Sequence, residues 1–242
     1  MKRYCTIFLL FGFLFILPLR VQSQSADEVL KNAIAFHDPN GNWGHLKTSF
    51  KVVMETPDRP KRTSIITVNF PKQEFHLAVE QGENAYSYHI NDTSCEITLN
   101  GSKDFSKEQA EELRLNCERG NFMKDYYTYL YGLPMKLTDP GTHLDPKVQK
   151  KTFKGKEYVV LKVTYEAEVG EDTWYFYFDP TTYAMEVYQF YHDESKNDGE
   201  YILLEGLEDI NGIKMPKTRA WYLNKDNKYL GTDTLEKVQI DE

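Results

Sequence analysis

The sequence predicts a mainly β fold with a few helices: one large, curved antiparallel sheet of about 11 strands, covered by an N-terminal helix and a mid-chain helical pair. Three observations predict it. Most of the chain reads as short runs of alternating or wholly apolar side chains. Helical spacing occurs in only two places, near the start and in the middle. The later strands are joined by short turns with no helix between them, so neighbours must run antiparallel. A flat sheet of this size buries too little apolar surface, and it must curl or be covered.

The elements follow in order. Residues 1–23 read as a secretory signal peptide, with Lys2 and Arg3 as the positive start and Val21-Gln22-Ser23 as the cleavage region. The apolar run between Ile7 and Leu17 is shorter than the roughly 20 residues of a transmembrane helix. Residues 24–242 are then expected as one domain. Ser25-Ala-Asp-Glu28 is a capping box, followed by a helical stripe of Val29, Leu30, Ala33, Ile34 and His37. The turn Asp38-Pro39-Asn40-Gly41 ends that helix.

Alternation around Phe50, Val52 and Met54, and again at Phe75, Leu77 and Val79, predicts half-buried strands. Runs at 65–70, 85–90 and 95–99 complete a first meander. A second capping box, Ser106-Lys-Glu-Gln109, opens a helix through Ala110, Leu113 and Cys117. After Gly120, the stripe Phe122, Met123, Tyr126, Tyr127, Leu130, Tyr131 predicts another helix, stopped by Gly132-Leu-Pro134. Strands resume at 158–165, 174–178, 185–192, 201–205, 213–222 and 229–240, with hairpin turns such as Asp198-Gly199 and Asn211-Gly212. Several carry large side chains on both faces, as in a sheet covered by helices on one side.

Charge and cysteine content narrow the partners. The signal removes three cations (Lys2, Arg3 and Arg20) and no acid, taking the net charge from −8 to −11. That balance excludes nucleic acid, whose phosphates need a basic surface. Cys5 falls inside the signal, and no cysteine stands at the cleavage point to accept a lipid, so a periplasmic or secreted, soluble monomer is expected. Cys95 and Cys117 remain, either bridged or as two buried thiols.

No catalytic motif stands out. There is no Gly-x-Ser-x-Gly elbow and no His-Glu-x-x-His pair, and no cofactor or metal is expected. The aromatic residues carry the functional reading. Trp43, Phe122, Tyr126, Tyr127 and Trp174, with Phe176, Tyr188, Phe190 and Trp221, are expected to line a pocket or its lid, because each offers an apolar body and the Tyr and Trp side chains add a polar tip. The alternatives are a metal-assisted hydrolase built on His37-Asp38 and His192-Asp193-Glu194, or a non-catalytic envelope interaction module.

Four segments, His37-Asp-Pro-Asn-Gly-Asn-Trp43, Tyr129-Leu-Tyr-Gly-Leu-Pro-Met135, Phe178-Asp-Pro-Thr-Thr-Tyr183 and Gly231-Thr-Asp-Thr-Leu235, resemble a family of secreted bacterial proteins with no assigned function. More distantly, the element order is similar to the lipoprotein-localisation-factor group, the LolA/LolB-like fold, in which an unclosed antiparallel barrel with a helical lid holds acyl chains. That resemblance implies a half-barrel over 24–242 and an extracytoplasmic carrier or sensor of a hydrophobic small molecule or lipid, with an envelope protein as a further partner. It carries over no functional residue.

Overall fold

The computed structural model describes residues 24–238. The signal peptide expected over residues 1–23 lies outside the described residues, as does the end of the last expected strand. Helix α1 (Ala26–His37) starts at the predicted capping box, with the Ser25 hydroxyl accepting the Glu28 amide and the Glu28 carboxylate accepting that of Ser25. Five strands follow: β1 (Lys47–Thr56), β2 (Arg59–Asn69), β3 (Glu74–Gln81), β4 (Asn84–Ile90) and β5 (Cys95–Leu99). Helices α2 (Lys107–Leu113) and α3 (Cys117–Gly132) come next. The second half holds β6 (Thr142–Leu144), β7 (Gln149–Phe153), β8 (Lys156–Tyr165), β9 (Thr173–Phe178), β10 (Met185–Tyr191), β11 (Glu200–Ile210), β12 (Ile213–Leu223) and β13 (Tyr229–Lys237).

All 13 strands belong to one antiparallel sheet, ordered β5-β4-β3-β2-β1-β13-β12-β11-β10-β9-β8-β6, with β7 also on β8. The first and last strands meet at a central seam, where Val52 faces Leu235. From that seam the sheet grows by hairpins to β5 on one side and back to β8 on the other. Its two edges are not joined, so the barrel stays open. The chain must pass from one edge to the other between β5 and β6, and α2 and α3 make that crossing.

Helix α1 packs on β12 and β8, and α3 packs on β4 and β5, so both helices cover one face. One cross-strand row of that inner face, Val79, Ser64, Val52 and Leu235, is buried and mostly apolar. Burial of α1 through Val29, Leu30 and Ala33 adds to the same core. Two close approaches fix α3. A Cβ at Gly120 would lie 2.7 Å from the Tyr88 ring, and one at Gly132 would lie 2.2 Å from the Trp43 ring. Glycine is required at both because the packing partner occupies the side-chain space.

The structure differs from the expectation in three places. The strands number 13, because β6 and β7 are short, polar edge strands on either side of Asp145-Pro146 that show little apolar alternation. Cys117 begins α3 instead of ending the preceding helix. Arg114 takes a left-handed conformation that stops α2, and the Asn116 side chain caps α3 by accepting the Arg119 amide. Gly120 is a contact inside α3 and not a break. Third, the outer face of β8 to β10 has its own cluster of Tyr158, Val160, Tyr175, Tyr177 and Val187, packed by Phe153 of β7. Lysine stems complete the cover, with the Lys151 ammonium 3.7 Å from the Tyr175 ring centroid. Large side chains on both faces therefore reflect two covers of different kind.

The open alternative for the cysteines closes on a Cys95–Cys117 disulfide, which ties the start of α3 to the edge strand β5 across a sequence separation of 22. Loop closure of this length contributes roughly 3 kcal/mol. The double variant Cys95→Ser/Cys117→Ser is expected to lose about that much, read as a lower denaturation midpoint in urea with a somewhat steeper slope, because the unfolded chain without the cross-link exposes more surface.

Candidate functional site

Helix α3 divides the open side of the sheet into two grooves. The larger, about 860 Å³, lies between its N-terminal half, the β1–β2 turn and strands β3 and β4. The other, about 650 Å³, lies between its opposite flank and the β6–β9 end of the sheet. Phe122, Tyr126 and Tyr129 of α3 form one wall of this second groove, and Trp174, Tyr165 and Val169 form the other. Both volumes fall within the range of ~300–1,000 Å³ typical of ligand pockets.

The aromatic wall is continuous. Phe122 stacks on Tyr126, Tyr126 on Trp221, and Trp221 meets Tyr188 edge-on. Trp174 lies against Phe176, Tyr188 and Phe190, with its ring centroid 4.8 Å from that of Phe190. Eight of the nine aromatic residues singled out from the sequence thus form one cluster, with Tyr127 joined through Tyr126. Trp43 stands apart, edge-on to Phe70 and against Gly132 at the far end of α3. Within the cluster, Phe176 and Tyr188 are fully buried and pack beneath the groove, whereas Phe122 is 54% exposed at its mouth. Tyr129, which donates to or accepts from the Tyr165 hydroxyl and sits edge-on to Trp174, completes the wall. Burial holds the Tyr126 and Tyr129 phenols well above their usual value, so both stay neutral.

A family of unknown function, DUF6503, matches residues 5–237. The chain belongs to that family. No curated protein matches it. Among solved structures it is similar to a LolA superfamily protein from Nitrosomonas europaea, at 11% identity and a TM-score of 0.47, over 91% of this chain and 95% of that one. It is also similar to a DUF1329 family protein from Desulfovibrio piger, at 6% identity and a TM-score of 0.48, over 89% and 94% of the two chains. These are likenesses of layout. The function of this DUF6503 chain has to be argued from its own side chains.

The centre of the inner face is charged, not oily. Arg219 of β12 is in register with Asp233 of β13, Asp233 with Met54 of β1, and Met54 with Arg62 of β2. Arg219 is 0% and Asp233 1% exposed. The Arg219 guanidinium lies 3.8 Å from the Tyr131 ring centroid and donates to the carbonyls of Pro216 and Leu130. The Leu130 carbonyl belongs to the last turn of α3, where the helix dipole favours a cation. The Tyr127 hydroxyl donates to Ser64 at 2.9 Å and accepts from Arg62 at 3.4 Å. Burial raises the Asp233 carboxyl, against the opposing pull of Arg62 and Arg219. Both Asp233 oxygens, the Nε of each arginine and the hydroxyls of Tyr131 and Tyr188 are buried without hydrogen-bond partners among the described residues. Sequence reasoning missed this row. The available signal was phase, since Asp233 sits two residues before the buried Leu235 on a strand and so shares its face.

The histidines do not converge. His37 is fully buried and has both ring nitrogens committed: Nδ1 donates to the Lys214 carbonyl at 2.6 Å, and Nε2 accepts the Met185 amide at 2.9 Å. This tautomer follows from the Met185 N–H, which needs an acceptor. His192 pairs with Asp172 at 2.6 Å on the surface. Among the described residues, no group of three His, Cys, Asp or Glu could hold a metal.

Two outcomes are expected. Arg219→Met should cost about 1–3 kcal/mol by leaving the Leu130 carbonyl unpaired and removing a cation that opposes the burial of Asp233, and Arg219→Met/Asp233→Leu should recover part of that loss in the same denaturation assay. Burial, with Lys214 and Arg219 nearby, lowers the His37 pKa from 6.5 to about 4. The unfolded chain therefore binds the extra proton first. Stability should fall as pH drops from 6.5 towards about 4, by up to about 3 kcal/mol, and be independent of this group above 6.5. Urea titrations across that range, with His37→Gln as the control lacking the slope, check it.

Proposed function

We propose that this protein is an extracytoplasmic binder or carrier of a hydrophobic small molecule or lipid, held in the aromatic groove beside α3. The observation that carries the reading is the 650 Å³ groove walled by Phe122, Tyr126, Tyr129, Tyr165 and Trp174. Rigid rings give large apolar contact at little cost in side-chain entropy, and the neutral hydroxyls of Tyr129 and Tyr165 offer a polar contact at one end. Phe122 and Val169 (57% exposed) place apolar surface at the mouth, as entry of a hydrophobic group requires. The signal peptide reading puts the protein outside the cytoplasm, where it would act as a soluble monomer or hand its ligand to an envelope protein.

The test is mass spectrometry of lipids extracted from protein purified out of a bacterial envelope. A lipid present in equal amount to protein is the expected result, and an empty protein from that source would refute the carrier reading. Trp174→Ala, which removes the largest ring of the second wall, should weaken binding of the extracted lipid by about 1–3 kcal/mol, read by titration calorimetry.

A further inference from the structure

The larger groove, on the opposite flank of α3, has a different chemistry. Five cations line it: Arg59, Arg62, Arg114, Arg119 and Lys228. Three acids share it, Asp58, Glu112 and Glu200. The local balance is thus two positive charges in a chain whose net charge is −8. None of the five cations forms an ion pair among the described residues, and unlike the unpaired lysines scattered elsewhere on the surface they line a single groove. Arg62 has Asp233 near it on the inner face, and the other four cations are left facing the cleft without a paired carboxylate.

The floor is apolar. Met54, Leu77, Tyr88 and Met123 line the same groove, beneath the cationic rim. Arg62 reaches lowest, because it stands in the central charged row and lines the groove at once. Arg119 sits at the divide between the two grooves, with its guanidinium 4.8 Å from the Phe122 ring centroid. An inorganic anion would use the rim and leave the floor wet, and a neutral hydrocarbon would use the floor and strand the arginines.

We propose that this groove binds a single-chain anionic amphiphile, a phosphate or carboxylate head on an alkyl tail, with Arg62 and Arg119 taking the head and Met54, Leu77 and Met123 the tail. Guanidinium groups suit both heads because their paired N–H donors match two oxygens at once. The site is independent of the aromatic groove and does not require the carrier reading.

The experiment is calorimetric titration of the mature chain with three probes: dodecyl phosphate below its micelle concentration, dodecanol and inorganic phosphate. Dodecyl phosphate is expected to bind at least about tenfold more tightly than either of the others, and its affinity to fall as salt is raised. Arg119→Gln, at the half-exposed start of α3, and Arg62→Gln should each weaken it about tenfold or more, as loss of a charge-assisted hydrogen bond does. Trp174→Ala, in the other groove, should leave it unchanged. Equal binding of dodecanol would overturn the anionic head, and equal binding of inorganic phosphate would overturn the tail. Loss of dodecyl phosphate binding in Trp174→Ala, with the arginine variants unaffected, would move the ligand to the aromatic groove and refute this site while leaving the carrier reading standing.

Discussion

The constraint on which the structure depends is the crossing from one edge of an open sheet to the other. The first and last strands pair at the seam, so each half of the chain builds outward and ends at an unpaired edge. The segment between β5 and β6 has no route except across a face. Backbone crossing an apolar face must satisfy its own N–H and C=O groups, and a helix does so within itself. Helices α2 and α3 are the result, and the Cys95–Cys117 bridge holds the start of α3 at the edge it leaves. The two grooves are what remains of the inner face once this helix has been laid across it.

The seat of α3 is set by polar tips on apolar bodies. Its buried side carries Tyr127, Leu130 and Tyr131. The Tyr127 hydroxyl is satisfied only in this position, so a shift of the helix along the sheet would break contacts that hydrocarbon packing alone would not penalise. Tyr127 finds Ser64 and Arg62, the Tyr131 ring lies under Arg219, and Arg219 reaches the Leu130 carbonyl. Each of these links joins the helix to the charged row on the sheet.

Much of the layout was legible in the sequence, because it follows from local rules. The capping box at Ser25, the apolar stripe after it, and the alternation through Phe50, Val52 and Met54 each appear where hydrogen bonding and burial demand them. The strands β6 and β7 were not legible, since short polar edge strands bury too little to impose a period. Nor was the break at Arg114, whose left-handed conformation is a tertiary choice that glycine would ordinarily advertise. At the candidate site, the aromatic cluster could be read because residue type reveals it. Its division into groove wall and buried packing could not, because Trp174 and Phe176 share one face of a strand and the tertiary neighbours above them decide which one reaches the groove. The burial of Arg219 and Asp233 is hidden in the sequence, since a lone charged residue on a strand is most often solvated.

Arg219 and Asp233, buried as register neighbours with no hydrogen bond between them, are inefficient stabilisers, because removing two ions from water costs several kcal/mol each and hydrophobic residues of similar volume often do as well. Their physical effect here is selectivity of position. Leucines at 219 and 233 would accept α3 in several registers, each with a different gap on its two flanks. Arg219 accepts one, in which its guanidinium meets the Tyr131 ring and the Leu130 carbonyl together. Because one helix forms a wall of both grooves, any sliding that widened the aromatic side would narrow the cationic side. The charged row therefore fixes the shapes of both clefts at once, and the two cannot be tuned independently without first replacing the contacts that seat the helix.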